Sequence, residues 1–387
     1  MVADVRSALG FLLAAAIRDV GYFVDCGCTP PGDVETRVAA IRAHLSGHRL
    51  AASLIDLSSS LGPEPDLQAA TIAGLEVKRW AEDSGKLTTA RIFAQGLARL
   101  NPDDLSYALD AARLSRDTGE MPVAESWFRR IISRARTARD WYSYAWGFIG
   151  LGVLYHRVGN HPAAVVVFHR ARRASVRRKI SSALAAAHHH LFTLAAESGR
   201  FSEVYPHLEA AFQAYGAESD RLPALAHDAA RFWIEMHRFD RALPVLEAVC
   251  PLLEPRINEY TLCRANLAWA AAGAGDMRKF ETFEQATLGA IGRRPHDDIA
   301  AQAYLHLAYA LEVLRDPRGA LSLGRVALEL STRSGSMYVR EKTEELLGRL
   351  GRSSEAPQPA SSVGPEPPKV ALRGQRFAEF LVSALGG

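Results

Sequence analysis

Several stretches of the chain share one pattern: an apolar-striped helix, a break containing glycine, and a second helix with a small residue five positions past the break. The stripe places apolar residues at i, i+3, i+4 and i+7, the spacing that lines one face of a helix. The clearest copy runs from Ala145 to Ala174. Leu151, Gly152 and Tyr155 lie on its first helix, Gly159 ends that helix, and Ala164, Phe168 and Ala171 recur along the second.

Aligning the breaks gives eight copies, at Gly47, Gly85, Gly119, Gly159, Gly199, His237, Gly275 and Arg315, with a period near 38 residues. Five residues past each break stand Ala52, Ala90, Ala124, Ala164, Val204, Ala242, Phe280 and Ala320. Seven residues before each break stand Ala40, Lys78, Ala112, Gly152, Phe192, Ala230, Ala268 and Ala308. A glycine after the first helix can take the left-handed conformation that ends a helix without a Cβ clash. The two small columns fall where antiparallel helices come closest, so short side chains let the backbones meet. One pair cannot bury both of its faces, and neighbours must therefore stack.

Leu151, Gly152, Tyr155, Gly159, Ala164, Phe168 and Ala171 resemble the signature of the tetratricopeptide repeat. The resemblance spans roughly residues 33 to 335 and weakens at Lys78, Phe192 and Phe280. It implies an all-α, right-handed α-solenoid of about eight antiparallel helix pairs. The period is longer than that of the common repeat by about four residues, and such lengthened repeats are similar to those of bacterial regulatory and sensor proteins. In this family the first helix of each pair lines a concave groove. Carried over, the inward positions are Arg79, Arg113, Arg116, Trp146, His156, Arg157, His189, Thr193, His227, Arg231, Trp269, Gln302, Tyr309 and Glu312. Arginines interleaved with Trp, Tyr and His suit an extended acidic or aromatic peptide, because guanidinium groups bind carboxylates through two parallel bonds and aromatic rings give rigid apolar contact. The same surface suits a nucleotide or a single strand. The Asn-rich clamp that some family members close on chaperone C-termini is not evident.

The layout expected from these patterns begins with an N-terminal capping helix over 1–32 and the repeat array over 33–335. A charged capping helix follows over 336–352, then a Pro/Ser-rich linker over 353–370, too poor in apolar residues to bury a core. The stretch 371–387 is a short C-terminal helix or tail, with Phe377, Phe380, Leu381 and Leu385 on one face. That helix either packs back on the array or acts as a tethered peptide for a groove.

Composition adds limits. The 387 residues are 48% hydrophobic and 23% charged, with formal net charge +3, too mildly basic for global charge to imply nucleic acid. Four cysteines are too scattered for a disulfide scaffold, which favours a cytoplasmic protein. No apolar run reaches membrane-spanning length. The opening MVADVRSALGFLLAAAI has a signal-like apolar stretch, but Asp4 offsets Arg6 and Arg18–Asp19 follow at once, so it reads as a buried helix.

Candidate chemistry is sparse. No nucleophile elbow, P-loop or HExxH motif occurs, and Gly273–Arg278 reads as a turn between helices, so the chain is expected to be a non-catalytic scaffold without cofactor or metal. Cys26, Cys28, His44 and His48 have a zinc-finger order, but the C-x-C bite is tight and Gly47 separates the histidines. His188–His190 are successive helical residues and cannot all share a face. Arg170, Arg172, Arg173, Arg177, Arg178 and Lys179 form a basic patch on a second helix. The leading expectation is an adaptor or regulatory sensor that recognises a peptide or protein segment in its groove. The alternative is a nucleic-acid or nucleotide-binding regulator that uses these Arg-rich surfaces.

Overall fold

The computed structural model describes residues 8–26, 33–62, 64–293, 297–352 and 368–386. Among them every regular element is an α-helix. After α1 (Ala8–Cys26) come α2 (Val34–His44) with α3 (Ala51–Ser60), α4 (Leu67–Asp83) with α5 (Leu87–Leu100), and α6 (Leu105–Asp117) with α7 (Met121–Ala138). The pairing continues through α8 (Trp141–Arg157) with α9 (His161–Arg178), α10 (Ser181–Glu197) with α11 (Phe201–Tyr215), and α12 (Leu222–Glu235) with α13 (Phe239–Leu253). The last pairs are α14 (Ile257–Ala274) with α15 (Met277–Gly292) and α16 (Asp297–Val313) with α17 (Pro317–Ser334). Two single helices follow, α18 (Met337–Arg352) and α19 (Pro368–Leu385). This is the all-α, tetratricopeptide-like order of eight helix pairs that the repeat predicts.

All eight breaks adopt positive φ, from +54° at His237 and +61° at Arg315 to +83° at Gly119. The column five residues past the break is buried in seven copies, with Ala90, Ala124, Ala164, Val204, Ala242 and Ala320 fully enclosed. Ala52 is the exception and is exposed, because α3 starts four residues after Gly47 whereas the other second helices start two after their breaks. That shift gives the enclosed place to Leu54. Three further left-handed residues, Arg139, Lys179 and Gly335, end α7, α9 and α17.

The chain divides into two compact units, Met1–Leu154 and Tyr155–Gly387. In the first, α8 lies directly on α7: a Cβ on Gly150 would stand 2.1 Å from the Phe128 ring. In the second, the first helices α10, α12, α14, α16 and α18 touch in succession and form one layer, and the second helices α11, α13, α15 and α17 back them.

The layer of first helices curls. Arg157, in the last turn of α8, reaches Asp298 at the start of α16 at 3.2 Å. Arg231 of α12 likewise comes within electrostatic reach of Tyr338 of α18, past α14 and α16. The helix α19 closes the outer side of this unit. Phe377, Ala378 and Leu381 are buried in the core formed by α11, α12 and α13, and Arg373 bonds Glu209 at 2.6 Å. The backbone at Gly374 comes so close to the Tyr205 hydroxyl that a Cβ there would stand 2.2 Å from it. The linker expected over 353–370 falls mostly outside the described residues, and α19 starts at Pro368.

Candidate binding face of the second unit

Because side chains three and four apart share a helix face, each first helix sends a ladder of residues to the inside of the curl. On α12 that ladder is His227, Asp228, Arg231 and Glu235. The Arg231 guanidinium sits between Glu197 of α10 at 3.5 Å and Glu235 at 3.3 Å. Burial alone would lower its pKa, but Glu235 and the other anions around it hold the charge firmly on.

Glu235 is left in a different position. Burial pushes its pKa up, Arg231 pulls it down, and the nearby Glu197 and Asp228 push it up again, with a net upward shift. Three carboxylates thus surround one guanidinium, with Lys342 of α18 as a further cation near Glu235.

Asp228 is held between two histidines, His189 Nε2 at 2.9 Å and His227 Nδ1 at 3.4 Å. Burial opposes its charge, but the bonds to His189 and His227 outweigh that and hold the carboxyl well below its usual range. His227 meets the Asn266 side-chain amide at 2.9 Å on its other nitrogen. Further along, Trp269 stacks on Tyr309 with ring centroids 4.8 Å apart and packs against His306 at 5.6 Å. His306 is buried with no hydrogen-bond partner at Nδ1, and burial followed by the charge of Arg231 lowers its pKa to about 3.

The other expected groove residues of this unit lie on the same layer. Thr193 is buried and donates to the His189 carbonyl at 3.1 Å, Gln302 is half-buried on α16, and Glu312 accepts a two-pronged bond from Arg349 at 3.2 and 3.0 Å. His156 bonds Glu197 at 2.6 Å. In the first unit, Arg113 is engaged by Glu82 and Asp110 at 2.5 Å, Arg116 pairs with Asp117 at 2.9 Å, and Arg79 is exposed. Trp146 is half-buried there, with its indole N–H enclosed and without a hydrogen-bond partner. Arg113, Arg116 and Arg231 therefore already hold carboxylates of their own chain, which weighs against a strongly acidic ligand.

Sequence reasoning singled out the cations of this face and Glu312, but passed over the three anions around Arg231. Glu197 comes from the adjoining first helix, a proximity that one helix read alone does not reveal, whereas Asp228 and Glu235 lie on α12 itself, Glu235 four residues past Arg231. It also passed over His161. Across the Gly159 turn this histidine faces His156, and their ligand atoms and a Glu197 oxygen all lie within 4.8 Å of one another.

The three consecutive histidines diverge as helical geometry requires. His188 faces His207 of α11 at 3.0 Å, His189 holds Asp228, and His190 stacks on Phe168 at 4.9 Å. Burial, then the neighbouring His207 and Arg172, lower the His188 pKa to about 4. The Cys26, Cys28, His44 and His48 set cannot be followed, because Cys28 and the Cys26 side chain lie outside the described residues. His48 packs edge-on against Trp80 at 6.3 Å. The basic patch lies on α9, with Arg170, Arg173, Arg177, Arg178 and Lys179 exposed and Arg172 half-buried. Among the described residues, no helix is long and apolar enough to cross a membrane.

No protein-family model matches the sequence. No curated protein matches it either. Similar solved structures include a Rap protein complexed with competence and sporulation factor, at 8% identity over 93% of this chain and 99% of that one, with a TM-score of 0.48. BtubC from P. vanneervenii is 17% identical over 59% of this chain and 92% of its own, with a TM-score of 0.43. The TPR2AB domain of yeast Sti1, in complex with pHSP90, is 13% identical over 74% and 100%, with a TM-score of 0.28.

Proposed function

We propose that the second unit is a non-catalytic scaffold that holds a peptide or protein segment against its inner face. The observation that carries this is the excess of carboxylate there: Glu197, Asp228 and Glu235 converge around Arg231. A basic side chain or an N-terminal ammonium of the segment would offset the burial and the carboxylate repulsion that together raise Glu235. The Trp269–Tyr309 stack offers a rigid apolar shelf beside it. The role that fits is that of an adaptor or regulatory sensor, working in the cytoplasm.

The test is fluorescence anisotropy with a library of short labelled peptides. Peptides with Lys, Arg or a free N-terminus are expected to bind best, with affinity falling about tenfold or more on Glu235→Gln and on Trp269→Ala. A preference for acidic peptides, or binding untouched by both substitutions, overturns the reading.

One observation favours a second reading. The helix α9 carries no acidic residue, and its basic patch is mostly exposed. Such a stripe fits phosphates of a nucleic acid. Binding of a single-stranded oligonucleotide that falls steeply with salt and weakens on Arg172→Ala and Arg177→Ala would support it. Shallow salt dependence would eliminate it.

A further inference from the structure

We propose that His156, His161 and Glu197 form a binding site for a divalent late first-row metal ion, with zinc as the representative. This does not rest on the peptide reading, although Glu197 takes part in both.

The donor set is two imidazoles and one carboxylate, which suits zinc, nickel or copper over calcium or magnesium. The donor atoms already lie within 4.8 Å of one another, and His156 Nε2 stands 2.6 Å from Glu197 Oε2. Around a tetrahedral zinc, with ligand bonds of about 2.0–2.2 Å, donors stand about 3.3–3.5 Å apart. The His156–Glu197 contact therefore has to open by under about 1 Å and the His161 ring to close by at most about 1.5 Å, which side-chain rotation supplies.

The backbone holds all three residues in place. His156 is in the last turn of α8, His161 is the first residue of α9, and the turn between them is set by Gly159 at φ +76°. The Asn160 side chain accepts from the Ala163 N–H at 3.2 Å and fixes the start of α9. Glu197 is the last residue of α10, and its second oxygen accepts from Arg231 at 3.5 Å, the kind of outer contact that orients a ligating carboxylate. All three side chains are half-buried, so water or a ligand group can complete the coordination. A bound dication would take the place of the direct His156–Glu197 contact.

The experiment is calorimetric titration of zinc chloride into the EDTA-treated full chain, with cobalt(II) absorption as a second readout. One zinc per chain is expected, with visible cobalt bands of low coordination number and no competition from magnesium. His161→Ala should weaken zinc binding at least about tenfold and abolish the rise in Tm that zinc gives the parent. Because His161 lies at a surface turn, this variant tests the idea even if Glu197→Gln fails to fold. His188→Asn serves as the control, since His169, His188 and His207 cluster elsewhere. Zinc uptake unchanged by His161→Ala, uptake lost on His188→Asn, or no saturable uptake at about 100 μM would each overturn the proposal.

Discussion

Arg157 and Asp298 stand 141 positions apart in the chain, yet Nη2 and Oδ2 meet at 3.2 Å. Both side chains keep more than a quarter of their exposure. An ion pair this open contributes about 0–1 kcal/mol, so it registers the curl of the second unit without holding it. Asp298→Asn should therefore change urea-unfolding stability by less than about 1 kcal/mol. A loss above about 2 kcal/mol would show that the contact supports the curl.

The left-handed breaks make a two-sided prediction. Gly159 stands at φ +76°, where a Cβ costs about 1–2 kcal/mol, so Gly159→Ala should destabilise by about that much. Arg315, at φ +61°, already bears that strain, and Arg315→Gly should stabilise by up to about 1 kcal/mol. Chemical denaturation of both variants checks the pair. Equal signs would contradict the backbone argument.

These breaks also show how far the sequence can be read. Spacing locates His237 and Arg315 although neither is glycine, because the left-handed state recurs where each first helix must end. The ends of α7 and α9 are not legible in this way, since Arg139 and Lys179 adopt positive φ without carrying a turn signal. The Ala52 column failed because one loop is two residues longer, and no residue type marks that. On the inner face, helical period indicates which side chains point inward, His189, His227 and Arg231 among them. Their partners depend on how tightly successive helices pack. Asp228 could be inferred beside His227, but the approach of Tyr338 to Arg231 required the curl itself.

Gly150 predicts a packing defect in the first unit. Phe128 is 2% exposed and its ring occupies the space a Cβ would need. Gly150→Ala should cost about 1–3 kcal/mol. Phe128→Leu added to it should recover part of the loss, so a double-mutant cycle with strictly additive effects would contradict the contact.

Phe377 tests whether α19 is integral to the second unit. It is 8% exposed and meets Phe212 edge-on at 6.1 Å. Phe377→Ala should destabilise that unit by about 3–5 kcal/mol. Exposed Leu372 offers the comparison, and Leu372→Ala should be near neutral. Equal effects would mean that α19 is not docked as described.

Acid should weaken the second unit through Asp228 and Glu197. In Glu197 burial opposes the charge, but His156 and Arg231 outweigh it, so both folded pKa values lie below their unfolded ones. Their stabilising contribution is full above the unfolded pKa, near 4, and is lost as pH falls through the folded values. Glu235 has the opposite sign: its contribution is present below the unfolded pKa and lost as pH rises through the raised folded value. Asp228→Asn should therefore flatten the fall in Tm below pH 5, and Glu235→Gln should raise Tm most at neutral pH. A Tm profile of Asp228→Asn parallel to the parent's would contradict the assignment.

The enclosed alanines Ala230, Ala268 and Ala308 act as spacers of fixed thickness between successive rods. Angular error in such a stack adds from one interface to the next, so the rim where Arg157 meets Asp298 behaves like the long hand of a gauge. A single added methyl at Ala268 would tilt one joint by a small angle and part the rim by a larger distance. Drift in sequence at these columns therefore alters the bore of the curl long before it threatens the helices that build it.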